Sequence, residues 1–479
     1  MKKIDAIDDL RGVRCDVLGI GISNIPLIEV LIDVGAVVTA RDKKNRDALG
    51  EICQSLEDRG VRLVLGEDYL DGIDGEVIFR SPGIRPDAGS IESAVKRGAL
   101  LCSEMELFLS LTKAKLFAIT GSDGKTTTTT LTHLFLEKQL SADGKGRAYV
   151  GGNIGTPMLS RCAEMTERDC AVLELSSFQL MTLNDPPKRA AITNITPNHL
   201  NWHIDMDEYI EAKKRIISED GLLVLNAENE ITAEIARRHT GKTVLFSSRK
   251  DSFDQIAGDS TGNISALFLR DGYIVYSDGT KEENLLKISD IKLPGVHNLE
   301  NYMTAIGLTY GIVDPSVYTE IAKSFGGVAH RLELVRELDG VRYYNSSIDS
   351  SPTRTAAALS ALEGKKVVIC GGYDKNIPFE PLAEALCSEN VVCVVLTGAT
   401  AKKIRSAILG YSGYDPEIMR IIEAEDFDAA VAAAKESARR GESVLLSPAC
   451  ASFDTFKNFE ERGNRFKSIV GGWSSEQDR

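Results

Sequence analysis

The chain has 479 residues, of which 43% are hydrophobic and 26% charged, a composition typical of soluble globular proteins. At roughly 150 residues per domain, this length predicts about three domains. The formal net charge of −14 argues against general binding to a phosphate backbone, so we expect no nucleic-acid partner.

The sequence contains no obvious targeting or membrane segment. No apolar run reaches the roughly 18–20 residues that a membrane-spanning helix needs. The amino-terminal segment has two lysines and three aspartates but no apolar core, so we expect no signal peptide and no membrane partner. The nine cysteines are scattered without a Cys-x-x-Cys pair, which favours reduced, buried thiols. These features together predict a cytoplasmic protein.

Strand-like apolar runs alternate with helix-like segments along the chain, which predicts an α/β fold with mostly parallel, doubly wound sheets. We expect three domains, over residues 1–105, 106–327 and 328–479. A more polar, turn-rich stretch over 247–292 predicts a small β-rich excursion. The strongest strand signals are 13–19, 36–40, 61–65, 77–79, 115–120, 171–173, 190–192, 222–225, 273–276, 366–370, 391–396 and 443–446.

The strongest local motif lies over 120–127, between a predicted strand and a predicted helix. Small residues there would let backbone N–H groups surround an anion at the positive end of the helix. The strict phosphate-loop pattern has glycine where this chain has Ile119, so the motif is a shortened variant. The alternative is an ordinary strand–turn–helix connection. The predicted ATP-binding residues are Gly121, Ser122, Asp123, Gly124, Lys125, Thr126 and Thr127.

A second glycine loop, near the start of the chain, is a weaker signal. Gly19 and Gly21 match two of the three glycines of the dinucleotide fingerprint, but Asn24 replaces the third. Asp42 follows at the distance expected of a ribose-binding acid. A dinucleotide site, a differently bound nucleotide and a simple tight turn all fit these residues.

Two polar residues follow neighbouring strands of the predicted central sheet. Glu174 lies near the carboxyl end of one strand, and His199 follows the next. Both should reach the sheet edge where ligands bind, and together they could complete the shell of a nucleotide-bound Mg²⁺. Alternatively, each is a satisfied polar group in a turn.

A helix predicted over 207–218 directs Lys213 into the middle of its apolar face. Burial lowers the basicity of a lysine, and a neutral amine can react with CO₂ to give a carbamate that ligates metal. The alternative is a lysine whose stem packs on the core while its amine reaches water.

These residues resemble the Mur ligase family, and the likeness extends over essentially the whole chain. Three further segments carry it, at 151–155, 173–180 and 446–460. The resemblance implies an ATP-dependent ligase of peptidoglycan precursor synthesis that activates a carboxylate as an acyl phosphate. Within the family the chain is most similar to the branch that joins D-glutamate to UDP-N-acetylmuramoyl-L-alanine. It also implies a monomer with three domains. In chain order these are a Rossmann-like domain that binds the UDP-substrate, a P-loop ATPase-like domain and a Rossmann-like domain that binds the amino acid.

The resemblance assigns roles to individual residues. Those implied at the phosphates and at a pair of Mg²⁺ ions are Lys125, Thr126, Glu174, His199 and a carbamylated Lys213. Those implied at the nucleotide are Asn298, Asn301 and Arg331. Those implied at the UDP-substrate are Ser81 and Asn153, and those at D-glutamate are Ser350, Lys375, Ser452 and Phe459. Without the resemblance, the nucleotide and substrate residues would be ordinary turn, linker or helix-surface residues.

The chain departs from the family pattern around the ribose and D-glutamate anchors. The departures are Ser346, Ile348, Asp349 and Tyr373. The first rival function is a sibling ligase with another amino-acid acceptor. A dehydrogenase and a non-catalytic nucleotide-binding scaffold are more distant alternatives.

Overall fold

The computed structural model describes residues 4–21, 23–200, 202–258, 263–293, 295–374, 378–388 and 390–474. The chain divides into two compact units, Met1–Phe325 and Gly326–Arg479. Lys375, which the resemblance places at D-glutamate, lies outside the described residues. Mostly parallel sheets in both units confirm the predicted α/β class. The division into three domains stays a prediction.

The first sheet of the first unit is parallel, with the strand order β3-β2-β1-β4-β5. Apolar residues of its central strands are fully buried, as expected of a sheet covered on both faces. Its strands are β1 (Arg14–Leu18), β2 (Val37–Asp42), β3 (Arg62–Leu65), β4 (Val77–Arg80) and β5 (Leu100–Cys102). Its helices are α1 (Asn24–Val34), α2 (Arg46–Leu49), α3 (Ile52–Asp58), α4 (Gly89–Lys96) and α5 (Glu104–Leu111).

The second sheet has the order β14-β13-β12-β11-β10-β9-β6-β8-β7. Its strands are β6 (Lys115–Thr120), β7 (Ala148–Gly152), β8 (Cys170–Glu174), β9 (Arg189–Ile192), β10 (Leu222–Asn226), β11 (Lys242–Phe246), β12 (Ile264–Arg270), β13 (Tyr273–Ser277) and β14 (Glu282–Lys287). Its helices are α6 (Lys125–Asp143), α7 (Ser177–Leu180), α8 (Met206–Lys214), α9 (Glu230–Arg238), α10 (Phe253–Ala257), α11 (Val296–Thr309) and α12 (Pro315–Ser324). The predicted β-rich excursion is confirmed, because β12, β13 and β14 pair antiparallel at one edge.

The strand order decides where the site lies. β6 pairs in parallel with β8 on one side and with β9 on the other. The segments that follow these strands therefore emerge side by side at one sheet edge, where doubly wound sheets bind ligands.

The second unit contains a sheet with the order β15-β16-β20-β17-β18-β19, in which only the described pair β15–β16 is antiparallel. Its strands are β15 (Glu333–Leu338), β16 (Val341–Asn345), β17 (Lys366–Cys370), β18 (Val391–Leu396), β19 (Arg420–Glu423) and β20 (Ser443–Leu446). Its helices are α13 (Pro352–Ala361), α14 (Glu380–Ser388), α15 (Ala401–Gly410), α16 (Phe427–Ser437) and α17 (Phe459–Gly471).

One helix differs from its prediction. The helix expected over 207–218 ends at Lys214, because the N–H groups of Arg215, Ile216 and Ile217 bond three residues back in a tighter turn. All nine cysteines are free thiols, as predicted. Among the described residues, no helix is both long and apolar enough to cross a membrane.

Candidate active site

The phosphate loop between β6 and α6 depends on two glycines. Gly121 has φ +150° and Gly124 has φ +79°, a region that other residues rarely adopt. A Cβ on Gly121 would lie 1.9 Å from Thr193 Oγ1, and one on Gly124 would lie 2.3 Å from Asn301 Oδ1. The loop therefore approaches Thr193 and Asn301 too closely to accommodate a larger residue at either glycine.

Two residues that follow β9 fix the loop, and sequence reasoning assigned them no role. Thr193 Oγ1 donates to the Asp123 carbonyl at 2.5 Å, and Asn194 Oδ1 accepts from the Asp123 N–H at 2.9 Å. The Ser122 N–H donates to the Asn194 carbonyl at 2.9 Å. Only the pairing of β6 with β9 brings these residues to the loop, so no local pattern could have identified them.

The Ser122 side chain forms its contacts inside the protein. Its Oγ donates to the Thr196 carbonyl at 2.9 Å, accepts from the Thr196 N–H at 2.9 Å and lies 2.9 Å from the Tyr209 hydroxyl. These bonds join the loop to α8. The role predicted for Ser122 in ATP binding stays a prediction.

Two lysine amines converge on the main chain of the loop. Lys125 Nζ donates to the carbonyls of Gly121 and Ser122, both at 2.9 Å. Lys213 Nζ donates to the same Gly121 carbonyl at 2.7 Å and to Thr120 Oγ1 at 3.4 Å. Both amines therefore lie beside the helix N-terminus at which a phosphate loop binds its anion.

The predicted burial of Lys213 is confirmed, since the residue is 1% exposed. Its amine lies 4.6 Å from the centre of the Tyr209 ring. Burial, aided by the positive charge of Lys125, lowers the pKa of Lys213 to about 6, and the carboxylates of Asp123 and Glu174 oppose this shift. At neutral pH the amine is therefore mostly unprotonated, which is the form that reacts with CO₂.

Glu174 ends β8 and has a carboxylate oxygen with no partner. The residue is 1% exposed, and its Oε1 accepts from Asn153 Nδ2 at 2.9 Å. Its Oε2 is buried and has no hydrogen-bond partner among the described residues. Leaving a charged oxygen unpaired inside a protein is unfavourable, and a divalent cation with oxygen ligands would satisfy it. Glu174 therefore fits the Mg²⁺ ligand predicted at this position.

No group of three or more His, Cys, Asp or Glu side chains able to hold a metal occurs in the described ranges. A Mg²⁺ ion here would need other oxygen ligands, and Mg²⁺ commonly takes them from water and substrate phosphates. Thr126 lies in the first turn of α6, and the hydroxyl ligand that the phosphate-loop pattern predicts there stays a prediction.

His199 lies on an exposed loop with φ +56°, a strained conformation for a residue with a side chain. Its ring packs 5.0 Å from that of Phe178, which lies on α7. Desolvation and the positive charge of Lys125 lower the pKa of His199. The imidazole is therefore neutral at pH 7, as a metal ligand must be.

The first turns of α11 lie against the phosphate loop. Asn301 Oδ1 accepts from Thr128 Oγ1 at 3.2 Å, and Asn301 Nδ2 donates to Asn298 Oδ1 at 3.3 Å. Of the two predicted adenine-contacting asparagines, the structure thus places Asn301 against the phosphate loop and Asn298 beside Asn301. Their contact with the base stays a prediction.

The glycine loop after β1 is bound to Asp42. Both oxygens of this carboxylate accept main-chain N–H groups, Oδ2 from Ile20 at 2.7 Å and Oδ1 from Lys44 at 2.8 Å. Gly19 has φ +91°, and a Cβ there would lie 3.0 Å from Ser81 Cβ. These contacts favour a tight turn that packs beside the predicted substrate residue Ser81, with Asp42 as its anchor.

In the second unit, the buried Arg462 joins two loops. Its Nε donates to Ser347 Oγ at 3.0 Å and its Nη2 to the Ser347 carbonyl at 2.8 Å. It also donates to the carbonyls of Cys450 and Ala451, both at 3.1 Å. Ser347 Oγ in turn donates to the Phe459 carbonyl at 2.8 Å. Burial lowers the pKa of Arg462 to about 10, and no local motif indicated this role.

The loops that Arg462 joins carry the predicted D-glutamate residues. Ser350 follows β16, Ser452 follows β20, and Phe459 begins α17. The parallel pairing of β16 with β20 brings the first two segments to the same sheet edge. Binding of D-glutamate by these residues stays a prediction.

The departures from the family pattern have structural contacts of their own. Asp349 accepts from Ser447 Oγ at 2.8 Å, and burial raises the pKa of this carboxyl. Ser346 Oγ accepts from the Leu332 N–H at 3.1 Å.

The other two departures form main-chain hydrogen bonds, and one of them lies beside the predicted nucleotide contact. The Ile348 N–H donates at 3.1 Å to the carbonyl of His330, which precedes the predicted nucleotide residue Arg331. The Tyr373 N–H donates to the Ala451 carbonyl at 2.9 Å, and its side chain is exposed.

Two family models match the chain: the Mur ligase middle domain over 119–309 and the Mur ligase, glutamate ligase domain over 330–450. The chain belongs to the Mur ligase family. It is 46% identical to the UDP-N-acetylmuramoylalanine--D-glutamate ligase of Ruminiclostridium cellulolyticum, over 96% of this chain and 97% of that protein. It is 44% identical to the ligase of the same name from Clostridium perfringens, with the same coverage.

Solved structures support the fold. The crystal structure of UDP-N-acetylmuramate-alanine ligase from Thermotoga maritima matches with a TM-score of 0.52 at 20% identity, over 96% of this chain and 99% of that one. A pseudomurein peptide ligase type C from Methanothermus fervidus matches with a TM-score of 0.50 at 16% identity, over 96% and 99%. At these identities the likeness concerns the fold alone.

Proposed function

We propose that this protein is an ATP-dependent amide ligase that joins D-glutamate to UDP-N-acetylmuramoyl-L-alanine, with release of ADP and phosphate. The observation that carries the reaction class is the convergence of the phosphate loop, the neutral Lys213 amine and the unpartnered Glu174 oxygen at one sheet edge. The choice of substrates is supported by relatives that are similar over nearly their full length.

A free carboxylate is a poor electrophile, so the substrate must be activated before an amine can attack it. Its oxygen attacks the γ-phosphorus of ATP, giving an acyl phosphate and ADP. The amine of D-glutamate then attacks the acyl carbon, and phosphate leaves. The protein's part in such a transfer is mainly positioning and neutralisation of charge.

Each residue at the sheet edge has a role in this proposal. Lys125, already beside the loop, would pair with the terminal phosphates. Thr126, Glu174, His199 and carbamylated Lys213 would hold Mg²⁺. When bound, Mg²⁺ would neutralise charge on the transferring phosphoryl group. Asn153, bonded to Glu174 Oε1, would orient that carboxylate and contact the UDP-substrate.

The remaining parts of the proposal concern organisation. Residues 1–105 would bind the UDP moiety, 106–327 ATP and 328–479 the amino acid. The protein would act as a monomer in the cytoplasm.

Acceptor choice tests the function. We expect purified protein to release phosphate from ATP only when UDP-N-acetylmuramoyl-L-alanine and D-glutamate are both present. L-Glutamate, L-alanine, glycine and meso-diaminopimelate should not replace D-glutamate, and Lys125→Ala should abolish turnover. A preference for another of these acceptors would establish the sibling-ligase alternative. Phosphate release without either substrate would refute the reaction.

A further inference from the structure

A chain of polar contacts links the first sheet to the loop that carries His199. It runs from Arg85 through Glu208 and His203 to Ser177. Arg85 belongs to the segment after β4, whereas the other members lie on α8, on the loop described over 199–200 and 202–205, and on α7. Ser177 lies in a segment that carries the family resemblance, but neither the residue roles implied by the resemblance nor the proposed mechanism gives these four residues a function.

Arg85 bonds both to the loop and to α8, which follows it. Its Nη2 donates to Glu208 Oε1 at 2.7 Å and its Nη1 to the Trp202 carbonyl at 2.8 Å. The guanidinium carbon also lies 5.0 Å from the centre of the Trp202 ring. The side chains of Arg85 and Glu208 are only 26% and 20% exposed, so solvent screens this ion pair less than a surface pair.

The contacts of Glu208 extend into the core. Its Oε2 accepts from the Ile204 N–H at 3.0 Å and lies 3.0 Å from His203 Nδ1. His203 Nε2 lies 2.9 Å from Ser177 Oγ. The order Ser–His–Glu matches a hydrolase triad, but His203 and Ser177 are only 2% and 3% exposed. Ser177 is therefore a buried anchor, without the access that a nucleophile needs.

Phe178 connects the anchored loop to the metal-binding side of the site. Its ring lies 5.0 Å from that of His199, 4.5 Å from that of Trp202 and 5.6 Å from that of His203. Phe178 follows Glu174 closely in the chain. Holding this loop against Phe178 therefore fixes His199 relative to Glu174.

We propose that Arg85 is a positioning residue that couples the UDP-substrate segment to the His199 loop through its contacts with Glu208 and Trp202. The segment that carries Arg85 also carries Ser81, so a ligand on that segment and His199 share one anchor. The inference rests on the proposed function for its catalytic consequence. The anchoring itself does not depend on that function.

Kinetics test the coupling. For Arg85→Ala we expect a kcat about tenfold lower and a KM for the UDP-substrate several-fold higher, because small displacements of reacting groups have large effects. The Mg²⁺ concentration for half-maximal rate should rise, whereas the KM for D-glutamate should not change. Glu208→Gln should act in the same direction, and the double variant should be no worse than the more severe single variant. Arg270→Ala, which removes an ion pair to Glu282 elsewhere in the second sheet, is the matched control.

Fluorescence tests the anchoring without any turnover. The chain has two tryptophans, so Trp473→Phe leaves Trp202 as the only reporter. In that background, Arg85→Ala and Glu208→Gln should increase quenching of Trp202 by acrylamide, and Arg270→Ala should not.

The outcomes separate the anchoring, the coupling and the function. Unchanged quenching in Arg85→Ala would overturn the anchoring. Changed quenching with kinetic constants equal to those of Arg270→Ala would overturn the coupling. A wild-type protein that makes no D-glutamyl product would refute the proposed function and, with it, the coupling. The quenching result would then still decide whether Arg85 anchors the loop.

Discussion

Replacing Lys213 with methionine should stabilise the protein while removing its activity. The pKa of Lys213 is lowered from 10.5 to about 6, and the residue is 1% exposed. The free amine is the relevant form in CO₂-free buffer, where the proposed carbamate is absent. There, at pH 7, an unfolded chain protonates this amine, whereas the folded protein leaves it mostly neutral. At 1.36 kcal/mol per pH unit, the difference disfavours folding by about 5 kcal/mol.

The sign of the pH dependence follows from proton uptake. Between pH 6 and 10.5 the unfolded chain binds more protons at this site, so the free energy of unfolding rises with pH. By pH 9 the unfavourable contribution falls to about 2 kcal/mol. The substitution also removes the hydrogen bond to the Gly121 carbonyl, a loss of about 1–3 kcal/mol. We therefore expect Lys213→Met to gain about 3 kcal/mol at pH 7 and roughly nothing at pH 9.

Urea unfolding measures this difference. Trp202 fluorescence in a Trp473→Phe background reports on the first unit, and the free energies of Lys213→Met and its parent are compared at pH 7 and pH 9. Lys214→Met, one residue along the same helix, should change stability by about 0.5 kcal/mol or less. A Lys213→Met protein no more stable than its parent at pH 7, or a gain independent of pH, would refute the reasoning.

Three further substitutions test other parts of the site. Glu174→Gln keeps the shape of the side chain but removes its charge, so kcat should fall about 100-fold or more. A Mg²⁺ titration of activity would measure this loss, and circular dichroism would show that the protein stays folded. Gly124→Ala should abolish ATP binding measured by calorimetry. Gly144 has a similar positive φ, but a Cβ there would have no atom within 4 Å. Gly144→Ala should therefore leave ATP binding intact despite about 1–2 kcal/mol of backbone strain. Arg462→Lys should raise the KM for D-glutamate about tenfold, since one amine cannot replace the guanidinium fork, whereas Arg465→Lys at an exposed ion pair should not. Equal loss of ATP binding in Gly124→Ala and Gly144→Ala, or an equal KM for D-glutamate in Arg462→Lys and Arg465→Lys, would contradict these expectations.

The sequence predicted the features that local chemistry determines. The strands at Lys115–Thr120, Lys366–Cys370 and Val391–Leu396 appear with the bounds expected, because each is a buried apolar run ended by turn residues. Glycines and the following lysine identified the phosphate loop, and helical spacing identified the burial of Lys213.

The sequence could not predict which distant segments meet. Thr193 and Asn194 reach the phosphate loop only because β6 pairs with β9. The residues of a single strand do not determine the order of the strands in a sheet. Arg85 and Arg462 each bond to a loop far away in the chain, so each looks like an ordinary surface arginine in the sequence. The early end of α8 depends on a turn geometry that hydrophobic spacing does not encode.

The guanidinium of Arg462 has a consequence for redesign of the second unit. Because one side chain holds the backbone of both the Ser347 and the Cys450 segments, neither segment can be relocated alone. A chimera that takes only one of these segments from a sibling enzyme would combine it with a second segment that does not match it. Evolution or engineering toward a new amino-acid acceptor would therefore have to exchange the two segments as a matched set.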